Sequence, residues 1–248
     1  MRVTGVQTCA LPICTVADAA LTFAVLTGTP QVTANEAPSV RSLRLAVPTG
    51  RVFERVQPQV RECFEQACQR LRQAGARLER VEIPGAALAA SAYLAIVLSE
   101  AAEWHARALE QIPEKYCPGV RIRLEAGRYV LAEDYIRAQR VRIRLRDAID
   151  ATFAGCDALL VPGLALTAPA VGAKTAMFED GEEPVRAAML RLTQPFNLSG
   201  HPSIVMPCDA TSDGMPCALQ LVGQRHDTRT LLQVALTCEP YGTRGVTG

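Results

Sequence analysis

The sequence predicts an α/β fold, and three observations carry that expectation. A strand, an amphipathic helix and a second strand follow one another between Leu43 and Ile83. Two long helical stretches occupy 86–111 and 131–153. Two short, mostly apolar runs flank a polar turn between Ser203 and Gly223 and read as a hairpin. Strands and helices in this alternation bury their apolar faces as a sheet covered by helices. A chain of 248 residues with 49% hydrophobic and 21% charged residues can build such a core in one or two domains.

Each element has its own signals. Thr15 with Asp18 forms a capping-box-like start for a helix that runs through Leu26 and stops at Gly28. Leu43–Val47 is a strand. Val56–Ala74 is a helix ended by Gly75, with Val60, Phe64, Ala67, Cys68 and Leu71 at helical spacing on one face. Arg77–Ile83 places Leu78, Val81 and Ile83 on a strand that Pro84 closes. These pieces make a β-α-β unit, for which a right-handed crossover is expected. The Ala-rich stretch 86–111 and the stretch 131–153 are long helices, separated by Gly127 and the segment around Pro118. Arg137, Arg140, Arg142, Arg144 and Arg146 crowd the second of them. They invite a phosphate-binding reading, but Glu133, Asp134, Asp147 and Asp150 balance them, so a solvated face is the reading adopted. Asp180–Pro184 is expected to be an exposed loop. Asp209–Gly214 is the turn of the final hairpin, with Gly214 available for positive φ.

Several function classes fall away on composition. The net charge of +1 gives no electrostatic footprint for nucleic acid, and no readout motif is present. No apolar run reaches the ~20 residues expected of a membrane span, so a cytoplasmic protein is expected. The nine cysteines include no CxxC, and His105, His201 and His226 are not at zinc-ligand spacing. Cys63 and Cys68, five apart, are expected off a common helix face. The cysteines read as small buried hydrophobes of a reducing compartment, and no metal or cofactor is expected.

The spelling of the last third is more specific than its pattern. Thr193-x-Pro195-Phe196-Asn197-x-x-Gly200-x-Pro202 leads to Pro207-Cys208 and then to Asp213-Gly214-x-Pro216-x-x-Leu219-Gln220-Leu221-Val222-Gly223. This block resembles the C-terminal part of amidase signature enzymes. Upstream, Thr15–Leu21 resembles the helix start that follows the family's catalytic core, Leu43–Pro48 the strand that opens the second half, and Cys156–Pro162 the late D-x-L-L-x-P strand. The resemblance covers roughly Thr15 to Glu239. It implies the C-terminal part of the amidase signature fold, a mixed β-sheet flanked by helices.

The same resemblance exposes an absence. The family's nucleophilic serine, the second serine that relays its proton and the lysine base all belong before the position that Thr15 matches. This sequence has no Gly/Ser-rich run. Its lysines are Lys115 and Lys174 alone, and its 24 arginines stay protonated and cannot serve as a base. No catalytic residue is therefore assigned within the chain. Residues 3–13 resemble the translation of a sequencing adapter, and a signal peptide is a poor alternative because an apolar stretch of about 7–15 residues is missing. Residues 1–14 are accordingly set aside as adapter-like, 15–240 as a partial amidase signature domain, and 241–248 as a disordered or artefactual tail. A truncated gene product, inactive alone, is the expectation.

In the family this half helps wall the acyl pocket. The resemblance offers Arg123, Arg191, Thr193 and Asn197 as substrate-binding candidates for a small-molecule amide. The opposing readings are ion pairs for the two arginines and local hydrogen bonding for Asn197. His201, alone in a loop, reads as structural or solvated. The specialised relative, the A subunit of glutamyl-tRNA amidotransferase, carries an acidic residue shortly before its T-x-P-x-N segment. Here that approach is Met189-Leu190-Arg191-Leu192, which favours a general amidase over a glutaminase. A non-catalytic α/β binding module is the alternative from another class. The oligomeric state is not legible.

Overall fold

The computed structural model describes residues 15–242. Its centre is a five-stranded mixed sheet in the order β2-β1-β3-β7-β6, where β1 is Arg44–Thr49, β2 Arg77–Glu82, β3 Ala158–Pro162, β6 Ser203–Ala210 and β7 Pro216–Val222. β1 runs parallel to both β2 and β3, whereas β7 is antiparallel to β3 and to β6. Every residue of β3 is buried, as a strand covered on both faces must be. Ala158 and Leu160 face one core while Leu159 and Val161 face the other.

Helices cover each face. On the first lie α1 (Val16–Thr27), α3 (Pro58–Ala74) and α9 (Thr228–Cys238), packed around Leu43, Leu45, Leu71, Leu219 and Leu221. On the second lie α4 (Ala89–Gln111), α6 (Ala132–Thr152) and α8 (Gln194–Ser199), packed around Ile96, Leu145, Ile149 and Phe196. α5 (Pro118–Gly127) lies along α4. Gly127 is what allows that closeness, since a methyl there would overlap the Leu98 carbonyl. The short helices α2 (Arg51–Glu54) and α7 (Val185–Leu190) and the hairpin β4 (Thr175–Phe178) with β5 (Gly181–Pro184) complete the fold.

Local signals explain most boundaries. The Thr15–Asp18 capping box opens α1, and Gly28 closes it at φ 70°. Pro58 at the first turn moves the start of α3 two residues past Val56. Asp227 caps α9 through the Thr230 N–H.

Four sequence expectations change. β6 extends to Ala210, so the hairpin turn shrinks to the residues around Gly214. Asp180–Pro184 is not an open loop. It forms the turn and second strand of β4–β5, and the Glu183 side chain is only 13% exposed because two arginines draw it inward. Cys63 and Cys68 are both buried in the same core, since α3 buries a stripe wider than one face. Finally, Ala86–Gln111 is long and apolar enough to cross a membrane by length and composition, with a mean hydropathy of 1.4 over its most apolar window. Its alanines raise that value, and the helix packs here against α5, α6 and α8.

The seven cysteines among the described residues are all unpaired. Burial raises the thiols of Cys68, Cys217 and Cys238 to about 12 and those of Cys156 and Cys208 to about 11. Thiols held that high stay neutral and behave as apolar packing groups. Tyr241 and Gly242, assigned to the tail by sequence, accept hydrogen bonds from Arg70; the rest of the tail and residues 1–14 lie outside the described residues.

Candidate functional site

Sheets of this kind open their binding crevices at the carboxyl ends of the strands, where connections diverge. Beyond β3 the chain leaves the sheet as Gly163-Leu164-Ala165-Leu166-Thr167-Ala168-Pro169 and curls over the start of α3. Gln57 fixes this loop. Its backbone N–H donates to the Ala165 carbonyl at 2.8 Å, and its side-chain oxygen accepts from the Thr167 N–H at 3.1 Å. At the other side Gly163 donates to the Ala218 carbonyl at 2.7 Å, and Ala218 stands so near that no larger residue than glycine fits at 163 without displacement. The result is a cavity of about 350 Å³ between the loop, the start of β7, Val60 and Met189 of α7. A larger crevice of about 580 Å³ lies nearby against β1, β3 and α3, edged by Arg61, Arg72, Arg80, Glu54 and Glu65.

Three of the four residues nominated by sequence come together around α7 and α8. Arg191 does not line the smaller cavity. It pairs with Glu183, donates to the Arg55 carbonyl and lies 5.1 Å over the Phe178 ring, which Arg55 covers at 4.9 Å. Arg55 also pairs with Glu183, so two guanidinium groups share one carboxylate and grip one ring. The side chains of all three charged residues are at most 14% exposed. Thr193 donates its hydroxyl to the Leu190 carbonyl at 3.2 Å. Asn197 is exposed at the first turn of α8, and its side chain makes no hydrogen bond among the described residues. Arg123 is not brought to them. It is exposed on α5, without an ion pair among the described residues.

The end of α8 is held from α6. Arg142 donates to the Leu198 carbonyl at 2.9 Å and Arg146 to the Ser199 carbonyl at 3.1 Å, so two arginines of the apparent solvated stripe cap a helix C-terminus. His201 Nε2 meets Asp150 Oδ1 at 3.1 Å, and His201 Nδ1 meets Ser199 Oγ at 2.7 Å. A neutral imidazole that donates Nε2–H to Asp150 must accept at Nδ1, so the Ser199 hydroxyl donates to it. The residue types are those of a Ser-His-Asp triad, but the two ring nitrogens are exchanged and a triad's access is lacking. Ser199 is completely buried, and Phe153 stacks on the imidazole at 5.7 Å. Burial lowers the His201 pKa below its ordinary value, outweighing the attraction of Asp150. Arg225, bonded to Asp150 at 2.7 Å, holds that carboxyl below the usual range. The chain of groups is a lock between α6 and the turn after α8.

Sequence reasoning missed the loop 163–169 and the cavity it closes. The signal was a run of apolar residues between Pro162 and Pro169, which reads equally well as a strand end.

Comparison with known proteins agrees with this architecture. The family described as Amidase matches residues 4–232, a range that begins inside the adapter-like segment. An amidase of Pseudomonas putida is 35% identical over 82% of this chain and 44% of its own length. The A subunit of the glutamyl-tRNA(Gln) amidotransferase of Chloroflexus aggregans is 32% identical over 89% of this chain and 51% of its own. A crystal structure of an amidase superposes with a TM-score of 0.83 at 31% identity, covering 91% of this chain and 51% of that one. The chain thus spans about half the length of the curated relatives it matches.

Proposed function

The chain belongs to the amidase family, enzymes that act on amide C–N bonds, and from that premise we propose that it is one half of a hydrolase that cleaves small-molecule amides by acyl transfer through a serine. The family match over most of the chain carries this reading. The serine, its relay partner and the lysine base are assigned to a preceding half, and the Thr193–Gly223 block to the supporting wall. Within that wall, Arg191 and Thr193 would hold the segment in place, while Asn197 and Arg123 keep side chains free for substrate or for the other half. The chain alone would then be inactive, and neither a cofactor nor a metal enters the scheme. Free thiols on both sheet faces suit a reducing, cytoplasmic setting.

A glutaminase of the amidotransferase type is the second reading, favoured by the 32% identity to the Chloroflexus aggregans protein. The segment 189–192 contains no acid, and its Met189 borders an apolar cavity, which weighs against it. A panel of amides with ammonia as readout tests the proposal. The chain alone should release none, and a complete protein, this chain joined to an upstream half, should release it in a way abolished by serine-directed inhibitors. Turnover by the chain alone would sink the division of labour, and no turnover by the complete protein would leave a binding module.

A further inference from the structure

The cavity beside the β3 exit loop is built with one kind of chemistry. Its walls are Val60, Leu164, Leu166, Pro169, Met189 and the start of β7, and no carboxylate, ammonium or guanidinium group lines it. Its only ionisable group is the Cys217 thiol, raised by burial to about 12 and so neutral. Thr167, the one hydroxyl, is already beside the Gln57 amide oxygen at 3.4 Å. Arg61, which follows Val60 in sequence, is paired with Glu179, and Arg191, two residues from Met189, is committed to Glu183 and Phe178. At about 350 Å³ the space is at the lower end of cavities that take small ligands.

We propose that this cavity is the specificity pocket of the amide site, that it receives an uncharged aliphatic or aryl group, and that Met189 closes it. Desolvation decides between ligands. A charged amino-acid head entering these walls would leave water and meet no partner, whereas an alkyl or phenyl group loses nothing and gains contact. Met189, flexible and 39% exposed, can adjust to groups of different shape.

The inference rests on the amide-hydrolase reading, and binding separates the two. Hexanamide, benzamide and L-glutamine are titrated into the purified chain while backbone amide signals of Leu164–Ala168 and Ala218 are followed by NMR. Hexanamide and benzamide should saturate at these signals, and L-glutamine should bind more weakly by roughly tenfold or more. Met189→Asp should weaken hexanamide at least about fivefold, and Met189→Leu should preserve it, because only the former sets a charge on the wall. Equal binding of glutamine, or hexanamide binding indifferent to Met189→Asp, would overturn the assignment. Apolar amides that bind here without being hydrolysed by the complete protein would remove the enzymatic reading and leave the pocket. A complete protein that prefers glutamine would do the reverse.

Discussion

At the scale of single residues, His201 shows how far a side chain's neighbours can lie from it in sequence. Its imidazole stands neutral between Asp150 and Ser199, with Arg146 and Arg225 also near. In the unfolded chain it would take a proton below about pH 6.5. The unfolded state therefore binds more protons there, and stability, full above that pH, falls as the pH drops. Asp150, held ionised by Arg225, adds a loss of the same sign below its ordinary value of 3.8. Thermal midpoints measured from pH 7.5 to 4.5 should decline through this range. His201→Gln should flatten the upper part of the decline while costing about 1–3 kcal/mol at neutral pH through the orphaned partners. A flat profile in the parent chain would refute this picture. The neighbour of His201 was not legible, because Asp150 is on a helix 51 residues away and reads there as one of several acids balancing arginines.

At the scale of elements, legibility followed burial. β3 and β7 are mostly apolar strands that need no partner to be recognised; α1 carries its own cap, α3 opens on Pro58, and both end at glycine stops. β5 could not be read, since Gly181-Glu182-Glu183-Pro184 has neither β-branched nor apolar residues. It is a strand because Arg55 and Arg191, far off in sequence or in another element, draw Glu183 inward. The cavity loop was hidden for a similar reason, as Gln57 supplies its hydrogen bonds from across the chain. The pairing of α4 with α5 yields a sharper test. Gly127→Ala forces a methyl against the Leu98 carbonyl and should cost about 1–3 kcal/mol in denaturant melts. Gly119→Ala on the same helix meets nothing within 4 Å and should be near neutral. Equal effects would mean that α5 is not seated as described.

At the scale of the whole molecule, the sheet has two unlike edges. β2 presents Arg77, Glu79, Arg80 and Glu82, charges that discourage a further strand. β6 presents Ser203, Val205 and Pro207, with Val205 55% exposed. The thiols divide as unevenly. Among the described residues, Cys63, Cys68, Cys208 and Cys238 belong to one core, Cys156 to the opposite one, Cys217 is half-buried against both, and Cys117 is in solvent. Under a thiol-reactive dye Cys117 should label at once, and the buried groups only as fast as their layer opens. If all buried thiols label together the three layers open as one unit; if Cys156 differs, the faces come apart separately. Burst labelling of several buried thiols would contradict the packing described. The cysteines thereby give the protein its own stopwatch, with hands on both faces of the sheet and a reference mark outside it.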